Sequence, residues 1–250
     1  MKSTSLFKPF AFFSFLLIIS LNHVKAHETD TIKTSKGNLI IHFLGHGTLM
    51  FEFDKKIIHI DPYSKVADYN QLPKADLILL THHHGDHLDS TALASIYTKT
   101  TTLYWTAECE KSSKFRAPAS VLQNGDKLMW KGILIESVPA YNIENKRQNG
   151  SPYHPMGEGN GYILTLGNKR VYIAGDTENI PEMLRFRPID IAFLPMNLPY
   201  TMTPEMVKDA ALMINPKVLY PYHFGKTDTS IIFDLLKDSP FIEVRIRKME

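Results

Sequence analysis

The sequence predicts an α/β fold in which two mixed β-sheets pack face to face and helices cover the outside. Three observations predict it. Short apolar runs with strand character outnumber helical stretches, and strand blocks with interleaved helices occur in the same order in both halves of the chain. After an N-terminal stretch of 26 residues set apart by composition, 224 of the 250 residues remain, a length that fits one domain with a sizeable core.

That stretch has the pattern of a cleaved secretory signal. Lys2 and Lys8 give a positive start, Pro9 to Leu21 is an apolar run with FAFFSFLLIIS at its centre, and Val24-Lys25-Ala26 ends on a small residue. The mature chain is expected to start near His27, and residues 27–250 to form a single domain. The run is short for a membrane span and polar sequence follows at once, so the expectation is an exported protein, periplasmic or secreted, with no stable span after cleavage. No cysteine stands near the cut site, which argues against lipid attachment there. Removing Lys2, Lys8 and Lys25 takes the formal charge from +2 to −1. A near-neutral surface argues against non-specific nucleic-acid binding, which needs clustered Lys and Arg. The single cysteine, Cys109, has no partner for an internal disulfide. It stands in a helical stretch, TAECEKSSKF, where it is expected to be packed or idle.

Each element follows from its pattern. NLIIHFLG (38–45), TLMFEFD (48–54) and KKIIHID (55–61) are apolar or alternating runs broken by Gly and charged turns, as in a strand meander. ADLILLTH (75–82) is a continuous apolar run, the mark of a strand buried on both faces. A helix follows from Asp89 to Ile96, with Asp89 as its N-cap. TTLYWT (101–106) is a strand, a helical stretch runs to about Phe115, and DKLMW (126–130) pairs with ILIESVPA (133–140) through Lys131-Gly132. Tyr141 to Gly159 is polar and rich in Asn, Gly and Pro, so it is read as a long loop, either functional or disordered. Strands are then expected at 161–166, 169–176, 189–195, 217–223 and 242–248, and helices at 204–214 and near Ser230 to Lys237.

The dominant feature is Thr81-His82-His83-His84-Gly85-Asp86-His87, directly after the buried strand. His82 and His84 can leave an extended backbone on one side, and Asp86 and His87 fall on the turn into the next helix. Such crowding has no structural use, because clustered imidazoles repel when protonated and are costly to bury unpaired. Imidazoles suit zinc, and a carboxylate adds a hard oxygen ligand, so metal binding is the better reading. Alternation turns His83 away, and it is read as non-ligating.

The H-x-H-x-D-H pattern resembles the signature of the metallo-β-lactamase superfamily. GHGTLMFEFDKKIIHIDPYS (45–64) looks like that family's opening hairpins, YIAGDT (172–177) like a strand ending in a metal-bridging Asp, and YPYHFG (220–225) like the strand end that supplies a last His. The resemblance implies a four-layer αβ/βα sandwich with two metal ions in the cleft between the sheet edges. It implies that His82 and His84 hold the first ion, that Asp86, His87 and His223 hold the second, and that Asp176 bridges them. In many relatives a His follows the Val-Pro-Ala strand, but here Val138-Pro139-Ala140 continues into Tyr141-Asn142. The nearby His154 is taken as the third ligand of the first ion, against a solvent-facing loop histidine. Asp61, before Pro62, suggests an acceptor that orients ligands. His42, His46 and His59 are read as packed or surface residues, with His46 in Gly45-His46-Gly47 able to approach the site from a turn.

Two divalent ions sharing a water lower its pKa and give a bridging hydroxide at neutral pH, so hydrolysis is the expected reaction, with Asp86 accepting or relaying the proton. Zinc is the expected metal, with iron or manganese open. The likeness to lactonase-like and phospholipase D-like members favours a small ester, lactone or phosphodiester as substrate. The loop from Tyr141 and the stretch Asn197 to Met202 are expected to wall the cleft, with Tyr141, Tyr153, Tyr200 and Tyr222 either near substrate or in packing. An exported β-lactamase and a non-catalytic metal carrier or sensor stay open. Such β-lactamases lack a bridging carboxylate like Asp176, and di-iron oxygen reductases carry Glu where His84 stands.

Overall fold

The computed structural model describes residues 27–249. The expected secretory signal lies outside the described residues. Two seven-stranded sheets form, and their plans repeat. In the first, β1 (Glu28–Thr34), β2 (Gly37–Gly45), β3 (Thr48–Phe53) and β4 (Lys56–Ile60) run antiparallel, then β5 (Leu77–Leu79), β6 (Thr102–Trp105) and β7 (Ser120–Val121) continue in parallel. In the second, β8 (Lys127–Trp130), β9 (Ile133–Ala140), β10 (Gly159–Leu166) and β11 (Lys169–Ile173) run antiparallel, and β12 (Ile191–Pro195), β13 (Val218–Tyr222) and β14 (Glu243–Val244) are parallel.

Side-chain alternation divides the core. Leu49, Phe51, Ile58, Ile60, Leu77 and Leu79 join the large cluster that also holds the second sheet's buried residues. Their chain neighbours Met50, Ile78 and Leu80 join a smaller cluster with Ala92, Leu93 and Ile96 of helix α1 (Ser90–Ile96) and Cys109 of α2 (Ala107–Ser112). Cys109 is fully buried, and burial pushes its thiol up to about 11, so it is packed and unreactive. The second sheet carries α3 (Pro204–Ile214) and α4 (Ile231–Leu236). Helix starts follow local chemistry: Asp89 accepts from the N–H groups of Thr91 and Ala92, and Thr203 caps α3 ahead of Pro204.

The strand Ser120–Val121 and the short helix Pro181–Arg185 were not expected, and two further differences bear on how the sheets are held. The edge strand β1 has one apolar residue, Ile32, and is held instead by distant charge: Arg247 donates to Asp30 at 2.7 and 2.8 Å, and Tyr220 also meets that carboxylate. The expected strand 242–248 pairs as β14 only over Glu243–Val244. Beyond it, the chain crosses to the N-terminal half, where Met249 O accepts from the His46 N–H at 2.6 Å.

What matters for the site is direction. Strands β4 and β5 are parallel to each other, as are β11, β12 and β13. Residues that follow strand ends in parallel sheets gather at one edge. Here those followers are Asp61, Thr81-His82, Asp176, Asn197 and His223.

Candidate metal centre

Ring nitrogens and carboxylate oxygens from five separate stretches meet at that edge. His82, His84 and His154 bring one atom each to within 4.8 Å of one another, as do His82, His87 and Asp176, and His46, Asp86 and His223. Asp176 stands between two sides. Its Oδ2 lies 3.2 Å from His154 Nε2 and 3.9 Å from His82 Nε2. Its Oδ1 lies 3.5 Å from His87 Nε2 and 3.4 Å from His223 Nε2. Asp86 Oδ2 is 3.6 Å from His223 Nε2 and 3.7 Å from His87 Nε2. All seven residues singled out from the sequence converge, and His83 belongs to none of the three groups.

The rings are aimed by what holds their other nitrogens. Asp61, fully buried, accepts from His87 Nδ1 at 2.8 Å and from the N–H and hydroxyl of Thr81 at 2.7 and 2.6 Å. Asn142 Oδ1 accepts from His154 Nδ1 at 2.7 Å and from its backbone N–H at 2.8 Å. The Thr81 hydroxyl lies 3.0 Å from His82 Nδ1. Each arrangement turns Nε2 inward. Three of the residues concerned, His46, Asp61 and His223, hold left-handed backbone at φ 52°, 45° and 44°. That conformation costs a non-glycine residue about 1 kcal/mol or more and persists where surrounding contacts enforce it. Gly47 is required by close approach, since a Cβ there would lie 3.0 Å from the rings of both His87 and His223.

The electrostatics are those of a cation site. Burial pushes His82 well below its usual pKa and His84 down to about 4, so their lone pairs are free near neutrality. Burial acts on His87 in the same direction, but Asp176, Asp61 and Asp86 outweigh it and raise that ring to about 10. Burial would raise the Asp176 carboxyl, yet the His223, His87, His154 and His82 rings hold it well below the carboxylate range. Asp86 is likewise held low by His223 and His46. His82 Nε2, His154 Nε2 and Asp176 Oδ1 are buried with no hydrogen-bond partner. Buried polar atoms are rarely left so. Three of them converging in one spot, among imidazoles and carboxylates, is the donor set that divalent ions fit.

A family model described as a beta-lactamase superfamily domain matches residues 40–223, a stretch that contains the whole constellation. The chain belongs to the metallo-β-lactamase superfamily. It is 30% identical over 195 residues to a UPF0173 metal-dependent hydrolase of Pyrococcus abyssi, covering 74% of this chain and 84% of that one. A crystal structure of a candidate metal-dependent hydrolase from Parabacteroides distasonis is 47% identical, with a TM-score of 0.84 over 90% of this chain and 100% of that one. A metallo hydrolase of Ignicoccus hospitalis, 22% identical over 84% of this chain and 95% of that one, shares the fold at a TM-score of 0.68. Within the superfamily, the chain is a metal-dependent hydrolase.

Over this metallo-β-lactamase centre opens a cleft of about 480 Å³, lined among others by Arg147, Tyr153, Asn197 and Tyr200. The loop after β9 and the stretch after β12 do wall it. Of the four tyrosines considered, Tyr153 and Tyr200 line it, while Tyr141 donates to Glu182 and Tyr222 accepts from the Gly175 N–H, both in packing. Two residues at the site escaped the sequence reading, and a third, His46, was read only as able to approach it. Glu178, fully buried, accepts from the N–H groups of Ile143, Glu144 and Asn145, and from Asn142 Nδ2. It therefore fixes the loop that orients His154. Asn142 is the direct orienting partner. His46, allowed only an approach from its turn, reaches Asp86 Oδ2 at 2.8 Å and packs 4.0 Å from the His223 ring. Its place in a Gly-His-Gly turn was the one available signal. His42 pairs with Glu52 at 2.7 Å, and His59 is buried against the Pro73 carbonyl, so neither belongs to the site.

Proposed function

We propose that this chain hydrolyses a small ester, lactone or phosphodiester with two divalent ions, zinc first, and iron or manganese as alternatives. His82, His84 and His154 would hold one ion, and Asp86, His87 and His223 the other, with Asp176 between them. The observation that carries this reading is the division of Asp176: one carboxylate oxygen faces each set of ligands. When bound, such ions supply an acidified water as nucleophile and polarise the bond to be cleaved.

The chain's own groups do the rest. Asp61 and Asn142 hold His87 and His154 with their acceptor nitrogens inward, so little reorganisation accompanies binding. Asp86, one-third exposed to the cleft, is ionised and is the carboxylate placed to accept a proton from the nucleophile. His46, at 2.8 Å and partly exposed, holds that carboxylate in place and can pass the proton outward. The pattern of residues 1–26 supports export to the periplasm or beyond, which N-terminal sequencing of the secreted protein tests by a start near His27.

Elemental analysis of the purified protein, beside a panel of esters, lactones and phosphodiesters with and without chelator, tests the main reading. Two metals per chain and turnover that disappears in chelator are expected. Stoichiometric metal with no turnover of any class would select a carrier instead, and turnover of penicillins alone would select a β-lactamase.

A further inference from the structure

The cleft has one wall whose chemistry the metal centre does not use. Among the described residues that line it, Arg147 is the one permanent cation, and the acids, Asp86 and Asp176, are already committed to histidines. The Arg147 guanidinium lies 5.0 Å from the Tyr153 ring centroid, and Tyr153 meets Tyr200 edge to face at 5.0 Å and 82°. Its backbone is set in a small hairpin: its N–H donates to Ser151 O at 2.7 Å, its carbonyl accepts from Gly150 at 2.9 Å, and Lys146 pairs with Pro152. Nη2 donates to the Tyr153 carbonyl at 3.3 Å. No carboxylate of the described residues pairs with the guanidinium, and Arg147 is an exposed residue of the cleft lining.

An arginine steadied on an aromatic face, with one N–H of its fork spent on the Tyr153 carbonyl, matches a planar or tetrahedral oxyanion that can take two N–H bonds at once. The neighbouring exposed cation, Lys146, lacks both the ring beneath and the place in the cleft lining. We propose that Arg147 selects substrates that carry an anionic oxyacid group, carboxylate or phosphate, away from the bond that is cleaved. Tyr153 and Tyr200 pack against the portion that joins the two. This rests on the hydrolase reading above, and names the substrate class of the same site.

The test compares kcat/KM for the 4-nitrophenyl esters of glutarate and hexanoate. The two are matched in length and differ in the terminal carboxylate. In zinc-loaded protein, the ratio of charged to neutral ester is expected to fall roughly tenfold in Arg147→Ala, solvent screening keeping the effect modest. Arg147→Lys should recover part of it, and Lys146→Ala should leave the ratio as it is. Calorimetry on chelator-treated protein, titrated with glutarate or with glycerol 3-phosphate, reads the same contact without turnover. Wild type is expected to bind at least one of them roughly tenfold tighter than Arg147→Ala, and which one separates carboxylate from phosphate. An unchanged ester ratio or equal anion affinities would overturn the proposal. If neither ester is hydrolysed, the hydrolase reading is the one in trouble, and the calorimetric comparison still decides the role of Arg147.

Discussion

The two sides of the metal centre draw on the same short segment, yet they are held in opposite ways. On the side of His82, His84 and His154, the orienting partners are neutral: the Thr81 hydroxyl and the Asn142 amide. On the side of Asp86, His87 and His223, most are charged or strained: the buried Asp61 carboxylate on His87, His46 on Asp86, and left-handed backbone at Asp61, His46 and His223, with the Asn197 amide 3.3 Å from His223 Nδ1 as the neutral exception. The first side depends on the order of a loop, which Glu178 fixes. The second depends on concentrated negative charge, which holds a proton when nothing else supplies positive charge. The lesson is that one metal centre can be organised by two physical means, so perturbing one set of residues should leave the other measurable.

The largest effect should come from the residue the two sides share. Asp176→Ala is expected to reduce turnover roughly a thousandfold and to lower metal content on both sides, with circular dichroism unchanged. Retained turnover would remove the bridging role.

The comparison sharpens with pH. In metal-free protein His87 is raised from 6.5 to about 10 by its three carboxylates. Its stabilisation is complete below pH 6.5 and is lost as pH rises through 10, on the order of several kcal/mol. His84 is lowered by burial to about 4, so its side is destabilised as pH falls from 6.5 toward 4. Thermal melts across pH 4–10 should therefore show metal-free protein losing stability in both directions. Zinc should flatten the alkaline loss, because the carboxylates then face metal rather than a proton. A metal-free melt flat above pH 6.5 would contradict the charge-held side.

Single orienting residues come next. Asp61→Asn leaves His87 Nδ1 and Thr81 imperfectly paired in a buried site, and should cost about 3 kcal/mol of stability and ten- to a hundredfold in affinity for the second ion. The smallest change is expected from Glu178→Gln, which loosens the loop behind Asn142 and should weaken only the first ion, by roughly tenfold. Stepwise metal titration monitored by calorimetry distinguishes the two. Equal losses at both steps in both variants would erase the contrast.

Much of this was legible in the chain for reasons that differ by residue. His82 to His87 compress ligands into six positions after an apolar strand, a pattern that core packing does not produce. Asp176 and His223 were readable through the family resemblance of YIAGDT and YPYHFG, and the parallel order of β11, β12 and β13 explains why such strand ends gather. The repeated sheet plan was readable from alternation, while β1 was not, since Ile32 is its one apolar residue and a contact between Asp30 and Arg247 holds it. Glu178 and Asn142 left no mark, because a buried carboxylate that accepts backbone N–H groups looks, in sequence, like any surface acid. Arg147 was hidden for the same reason: its meaning lies in the ring beneath it and the cleft it faces.

Diffraction from zinc-loaded crystals, recorded above and below the zinc absorption edge, tests the central claim most directly. Two anomalous peaks are predicted, one on each side of the Asp176 carboxylate, the first against His82, His84 and His154 and the second against Asp86, His87 and His223. A single peak, or a pair that leaves Asp176 in contact with only one, would contradict it.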